Sequence, residues 1–254
     1  MHPARFAVAS LLLAACGFFA SPAFGQLPGP GTPAGLNLQL LRLFGSVTAF
    51  TARANIRVVD AAQKEVFSAP MDFSVLDNKI RIEMELTDIK YKDLPAALAS
   101  SLKQLGLSKV VSLVRPDKQA SYVIYPEQKL YLNMPLAKGD AEAAQKPAKI
   151  EKTAIGPDTL EGKACEKSKV VLKQEGGRTL EAFVWTTPET KEFPVQVEST
   201  DGGNTSTIHF KDVRFEKPDA ARFDVPTAFT SYKSYPEFMG GLMAKMLGGG
   251  GDTK

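Results

Sequence analysis

Two cysteines, two histidines and one tryptophan are all that 254 residues supply of those types. Each scarcity excludes something. Two cysteines, one of them inside the apolar N-terminal stretch, cannot build a disulfide framework, so the core has to hold the fold alone. A lone histidine beyond position 2, His209, leaves general acid–base chemistry without its usual residue. One histidine and one cysteine without paired spacing do not make a zinc site, and there is no nucleophile-elbow motif for a serine hydrolase. No catalytic residue, metal or cofactor is therefore expected. Charge of one sign is also missing: 31 Lys+Arg stand against 28 Asp+Glu. That balance excludes nucleic acid as an expected partner.

What is present begins with an address. Arg5 supplies a positive start, Phe6 to Ala20 is apolar but short for a membrane span, and Ser21-Pro22 breaks any helix. Ala23-Phe24-Gly25 is then a small-x-small cleavage site, so residues 1–25 read as a signal peptide and the mature chain as exported to the periplasm or cell envelope of a bacterium. Leu13-Ala14-Ala15-Cys16 offers a second reading, a lipobox, which would leave Cys16 as the lipidated N-terminus of an outer-membrane lipoprotein. The apolar run continues past Cys16, which favours cleavage after Gly25. Loss of Arg5 leaves 30 Lys+Arg against 28 acids, a net charge of +2. Cys165 is unpaired on either reading, and is expected to be a small core residue rather than a reactive thiol.

Residues 26–35 are rich in Pro and Gly and read as a flexible linker. Leu36 to Phe44 has near-helical apolar spacing ended by Gly45. From Phe50 the period becomes two: Phe50, Ala52, Ala54, Ile56 and Val58 alternate with polar residues, and Met71, Phe73 and Val75 repeat the pattern. The Asp77-Asn78 turn leads to Ile80, Ile82, Met84 and Leu86, so 66–86 reads as a hairpin, with Glu83 and Glu85 as a solvated row. A helix from Leu94 to Leu105 carries Leu98, Leu102 and Leu105 and stops at Gly106. Strands follow at Lys109–Val114, Ser121–Tyr125 and Lys129–Met134. Residues 137–148 have no large apolar side chain and read as a mobile loop within one domain, with a domain boundary as the alternative.

The second half is strands and tight turns: Lys149–Ile155, Ala164–Gln174, Thr179–Thr186, Phe193–Ser199, Thr205–Lys211 and Val213–Phe215. Short regular spacing predicts antiparallel neighbours. Residues 231–254 form an apolar tail with Met239, Met243 and Met246, read as a helix before the flexible Gly248–Gly251 run. That helix could plug a cavity, dock on an envelope partner, make peripheral membrane contact, or pack on its own sheet.

The order of these elements carries a resemblance. The Phe50-x-Ala52 strand, the hairpin with Arg81, Gly156, Leu160-Glu161-Gly162-Lys163-Ala164-Cys165, Trp185, Phe193-Pro194-Val195 and Phe223-Asp224-Val225-Pro226 resemble the LolA-like superfamily of bacterial periplasmic lipoprotein carriers and lipid-binding lipoproteins. The match is nearest to a branch without assigned function and spans residues 36–230. It implies a mainly β (α+β) fold, a curved antiparallel sheet forming an incomplete β-barrel with covering helices. It also implies an apolar ligand, a lipid or a lipoprotein acyl chain, between sheet and lid. The candidate lids are the two helices above and the Met-rich tail. Carriers of the LolA type latch the lid with a specific arginine, a role that Arg53, Arg57 and Arg81 do not receive here.

The cavity lining is expected from Phe73, Ile80, Ile82, Met84, Tyr122, Ile124, Leu130 and Leu132, sharing one concave surface if their registers agree, with Trp185 a further candidate. Burying each large side chain contributes roughly 1.5–3 kcal/mol, so a groove of them needs a lid or an apolar occupant. The alternative to a carrier is a structural or partner-binding envelope protein whose cavity is closed by its own helices.

Overall fold

Three two-residue turns set the register of the sheet. Asp77-Asn78 (φ 47° and 65°), Glu161-Gly162 (49° and 80°) and Gly202-Gly203 (55° and 82°) each place two successive residues at positive φ. That is the type I′ geometry, whose twist matches the strands it joins. The three turns link β2 (Glu65–Leu76) to β3 (Lys79–Glu85), β8 (Lys149–Leu160) to β9 (Lys163–Lys173), and β11 (Pro194–Asp201) to β12 (Asn204–Arg214). The structure, a computed structural model, describes residues 40–91, 97–136, 149–173, 179–190 and 193–247. The signal segment, Cys16, the linker and the loop 137–148 lie outside the described residues.

The remaining strands are β1 (Ala49–Val59), β4 (Lys90–Tyr91), β5 (Lys109–Arg115), β6 (Ala120–Tyr125), β7 (Leu130–Pro135), β10 (Thr179–Thr186) and β13 (Thr230–Tyr232). All thirteen belong to one sheet, in the order β13-β7-β6-β5-β3-β2-β1-β12-β11-β10-β9-β8, with β4 paired to β2. The sheet is curved and does not close. The two halves of the chain meet where β1 pairs β12, Ala54 opposite Phe210 and Ile56 opposite Ile208. The segment expected as two strands, 205–211 and 213–215, is the single strand β12, which runs through Asp212 at φ 51°. One pairing departs from the antiparallel expectation: β13 runs parallel to β7, Thr230 opposite Leu130.

At the far end β8 is an edge, which natural sheets protect against stray pairing. Here a register shift between Ala154 and Gly156, with Gly156 at φ 136°, is followed by Pro157, which has no N–H.

Alternation sorts side chains onto two faces. One carries Phe50, Ala52, Ala54 and Ile56, Met71, Phe73 and Val75, Ile80, Ile82 and Met84, then Leu130 and Leu132 on one wing and Val170, Leu172, Leu180, Ala182 and Val184 on the other, all in one buried cluster. This inner face meets the helices. Residues 40–42 are helical, and Phe44 follows them into the cluster. Helix α1 (Ala97–Gln104) contributes Leu102. It ends in a Schellman arrangement: the Leu107 N–H donates to the Leu102 carbonyl at 2.8 Å and Gly106 sits at φ 61°. Helix α2 (Tyr235–Leu247) contributes Phe238 and Leu242. The outer face has a smaller cluster, Leu76, Val111, Leu113, Ala120, Tyr122 and Ile124, plugged by Phe223.

Candidate functional site

The centre of the inner face is a knot of phenylalanine rings. Phe44 stacks on Phe193 with centroids 5.0 Å apart, and meets Phe50 edge-on at 4.9 Å and Phe210 at 5.5 Å. Phe50 and Phe73 stack at 5.8 Å. Offset stacks and edge contacts of this kind contribute about 0.5–1.5 kcal/mol per pair beyond the area they bury. The knot joins three strands, β1, β2 and β12, to the residue before β11 and to the segment before β1, so the middle of the inner face is filled by the chain itself.

Helix α2 covers the β7 end. Ser234 caps it, its hydroxyl accepting from the Glu237 N–H at 3.4 Å, while Glu237 turns back to accept from the Lys233 N–H at 3.2 Å. Phe238 and Leu242, one turn apart, face the sheet; Phe238 stacks on Tyr125 at 5.1 Å and meets Tyr232 edge-on at 5.7 Å. The expectation placed the weight of this tail on its methionines. The docking side chains are Phe238 and Leu242 instead, with Met239 packed beside them and Met243 half-buried.

Of the nine side chains expected to line one surface, six share it: Phe73, Ile80, Ile82, Met84, Leu130 and Leu132 are buried together on the inner face. Three do not. Val123 pairs with Leu132 and so takes the inner position on β6, which turns its neighbours Tyr122 and Ile124 outward, against Phe223. Trp185 faces outward too. Val184 is its inward neighbour, and the indole N–H donates to Asp158 at 2.8 Å while the Lys167 ammonium lies 4.5 Å from the ring. Successive strand residues alternate, so a list that mixes parities across β6 and β10 cannot share a face. The polar partner of the indole and the cation over its ring are the marks of a structural tryptophan.

The outer face holds the charge that sequence reading missed. Glu83, taken with Glu85 as a solvated row, is largely buried within a cluster of cations. Arg81 and Arg222 each donate to its Oε1 at 2.8 Å, and Lys109 lies 2.8 Å from Oε2. Desolvation would raise the Glu83 carboxyl, but hydrogen bonds from Arg81, Lys109 and Arg222 outweigh it and hold it at about 2. Glu85, one strand step further, is exposed. Arg81 also donates to the Arg222 carbonyl at 2.8 Å. Arg115, itself buried, holds the Phe223 carbonyl and grips Asp117 with two bonds, 2.8 and 2.6 Å long. Two strand arginines therefore strap residues 219–224 across the outer face and seat Phe223.

Reactive groups are muted. The Cys165 thiol is buried and desolvation pushes its pKa up, away from thiolate. His209 faces outward, half-buried, its Nδ1 3.5 Å from Glu161, and desolvation lowers its pKa, which favours the neutral ring. Among the described residues no group of three or more His, Cys, Asp or Glu is placed to hold a metal, and no helix is long and apolar enough to cross a membrane. Two inner-face hydroxyls stand out. Ser199 and Ser206 are opposite each other on β11 and β12, both are buried, and neither Oγ has a hydrogen-bond partner among the described residues. An open cleft of about 300 Å³ lies where β2 and β3 part, beside Arg53, Asp72, Glu83 and Lys109.

No family model matches the chain, and no curated protein does. Solved structures do. The lipoprotein LppX of Mycobacterium tuberculosis is 12% identical with a TM-score of 0.39, over 73% of this chain and 96% of that one. LprF from Mycobacterium bovis is 15% identical with a TM-score of 0.36, over 76% and 98%. The Pseudomonas aeruginosa MucA/MucB complex gives 9% identity and a TM-score of 0.34, over 79% and 64%. Likeness at these scores carries nothing about ligand or partner.

Proposed function

We propose that this chain is a non-enzymatic binding protein of the bacterial cell envelope that takes a lipid, a lipoprotein acyl chain or another apolar ligand on its inner face. The observation that supports this most is a mismatch of size. Twelve strands lie side by side on the main path of the sheet. At ~4.8 Å per strand that is roughly 50 Å of sheet. The inner face is mainly apolar from Leu130 on β7 to Leu172 on β9, with Ser112, Ser168, Ser199 and Ser206 among its polar positions. A helix is about 10 Å wide, and α2, with 13 residues, is about 20 Å long. Among the described residues the helices on this face are only 8 and 13 residues long, so little regular structure would have to move to open it. An acyl chain entering there would meet apolar side chains buried in the closed form.

The test is native mass spectrometry of protein purified from its own host, with uptake of a fluorescent fatty acid as the second readout. Bound lipid and saturable uptake are expected. Protein free of lipid in every preparation, with no uptake, would defeat the proposal. Export, with cleavage after Gly25 or lipidation at Cys16, is read from the intact mass of the mature N-terminus.

A second reading has its own observation. Phe44 and Phe238 already fill two parts of the inner face from within the chain. On that reading the protein is structural, or captures an envelope partner. Deleting residues 235–254 separates the two: a carrier stays folded and changes its ligand uptake, whereas a closed partner-binding protein loses stability or partner capture.

A further inference from the structure

We propose that the break between β2 and β3 is a lateral entrance through which a single acyl chain reaches the inner face; this rests on the reading of that face as a lipid site. The two strands pair without interruption from Leu76 opposite Lys79 to Asp72 opposite Glu83. Pairing on this side of β2 resumes only at Ser68 opposite Lys90, on β4. Between those points β2 spends three residues, Ala69, Pro70 and Met71, while the facing chain spends six, Met84 to Ile89. An intact antiparallel ladder spends equal numbers, and one extra residue already makes a bulge. Three extra residues bow the facing chain away. Pro70, in the middle of the gap, has no N–H with which to close it.

The bow is not a frayed end. Beyond the gap Met84 still pairs with Val110 and Glu85 with Lys109 on the other side of β3. The opening has volume, about 300 Å³, and its lining draws on both faces of the sheet. Asp72, Glu85 and Lys109 stand on the outer side. Ala54, Met71 and Met84 send their side chains into the inner core. Met71 and Met84 are only 4% and 2% exposed, so the cleft stops at these two side chains and the way inward opens when they move. Paired strands lie ~4.8 Å apart, too close to admit a hydrocarbon chain, so passage needs such a break.

The residues at the inner end suit the task. Methionine is unbranched and has three rotatable bonds, so Met71 and Met84 can change rotamer without moving backbone, as β-branched valine or isoleucine cannot. The charged rim suits the other end of an amphiphile, whose polar head stays in water while its tail passes inward.

The experiment compares two inner-face positions of β2 in a Cys165→Ala background. Met71 borders the gap; Val75, on the same face of the same strand, sits in the paired part of the ladder opposite Ile80. Met71→Cys and Val75→Cys are each reacted with dodecyl and with sulfonatoethyl methanethiosulfonate, with folding checked by circular dichroism. The expected result is that dodecyl modification is at least ten-fold faster at position 71 than at position 75, that the charged reagent shows no such preference, and that excess lauric acid slows only the reaction at 71. Equal dodecyl rates at the two positions overturn the entrance. Should either variant fail to fold, Met84→Cys against Ile80→Cys poses the same question on β3. Failure of the lipid reading itself shows elsewhere, as absence of fatty-acid uptake by the unaltered protein.

Discussion

A Cβ built on Gly241 would overlap the Tyr232 hydroxyl oxygen and the ring carbon that bears it. Helix α2 thus lies against β13 by virtue of one absent methyl group. Its neighbour Gly240 has nothing within 4 Å of the same construction. The pair makes a matched test of docking against helix propensity. Gly241→Ala is expected to cost about 1–3 kcal/mol of docking, as overpacked sites do. Gly240→Ala is expected to stabilise α2 by up to about 1 kcal/mol. Hydrogen exchange of amides 238–247 measures both, with opposite signs.

Acid should weaken the outer face through Glu83, although this carboxyl resists protonation longer than an ordinary one. Its folded pKa, about 2, lies below the ordinary value of 4.5 because Arg81, Lys109 and Arg222 bond the charged form. A depressed carboxylate pKa contributes stability that is full above pH 4.5 and is lost as pH falls toward 2. Glu83→Gln removes that contribution and leaves three cations facing one another, a loss of about 2 kcal/mol at pH 7. Urea melts between pH 7 and pH 2 should show the variant weaker at neutrality and flatter through the acid limb. Parallel curves would show that the cluster contributes nothing.

Strand identity was legible in this sequence wherever one face is buried and the other wet. Ile80, Ile82 and Met84 alternate with Arg81, Glu83 and Glu85, and the structure buries the first set together. Turn positions were legible from Asp77-Asn78 and Gly202-Gly203, because few residues accept positive φ. Parity between distant strands was not legible, since it depends on pairings such as Val123 with Leu132 that no local pattern states. That is why Tyr122, Ile124 and Trp185 were grouped with the wrong face. The cation cluster at Glu83 was hidden for a related reason: Arg222 lies 139 residues away in the chain and arrives only when Phe223 is seated. The β2–β3 gap left one local trace, Pro70 inside a run of strand residues.

Ser206 offers a test with an unusual sign. Its hydroxyl is buried at 1% exposure and has no partner among the described residues. Val58, its neighbour on β1, is apolar. Removing a buried hydroxyl that makes no bond recovers its desolvation cost, so Ser206→Ala is expected to be neutral or to stabilise by up to about 1 kcal/mol. Ser121, whose Oγ reaches the Met134 carbonyl at 3.5 Å, is the control, and Ser121→Ala should not stabilise. The urea midpoint at pH 7 distinguishes them. Destabilisation of Ser206→Ala by more than 1 kcal/mol would mean that the hydroxyl is bonded in solution.

The strap over the outer face makes the last prediction, because its apolar and polar parts can be cut separately. Phe223 is 1% exposed among Leu113, Tyr122 and Ile124, and Phe223→Ala should cost about 3–5 kcal/mol through the cavity left behind. Arg115 is 6% exposed and holds the backbone of that same residue while gripping Asp117 through a two-pronged contact. Lysine keeps the charge but has no fork, so Arg115→Lys should lose part of both interactions, about 2 kcal/mol. The two sites share one partner segment, so their effects should not add. Once Phe223 no longer anchors residues 219–224, Arg115 has less to hold, and the double variant should fall short of the sum by about 1 kcal/mol or more. Strict additivity in urea unfolding would mean that the arginine stabilises β5 and its turn to Asp117 alone, with no part in seating the phenylalanine.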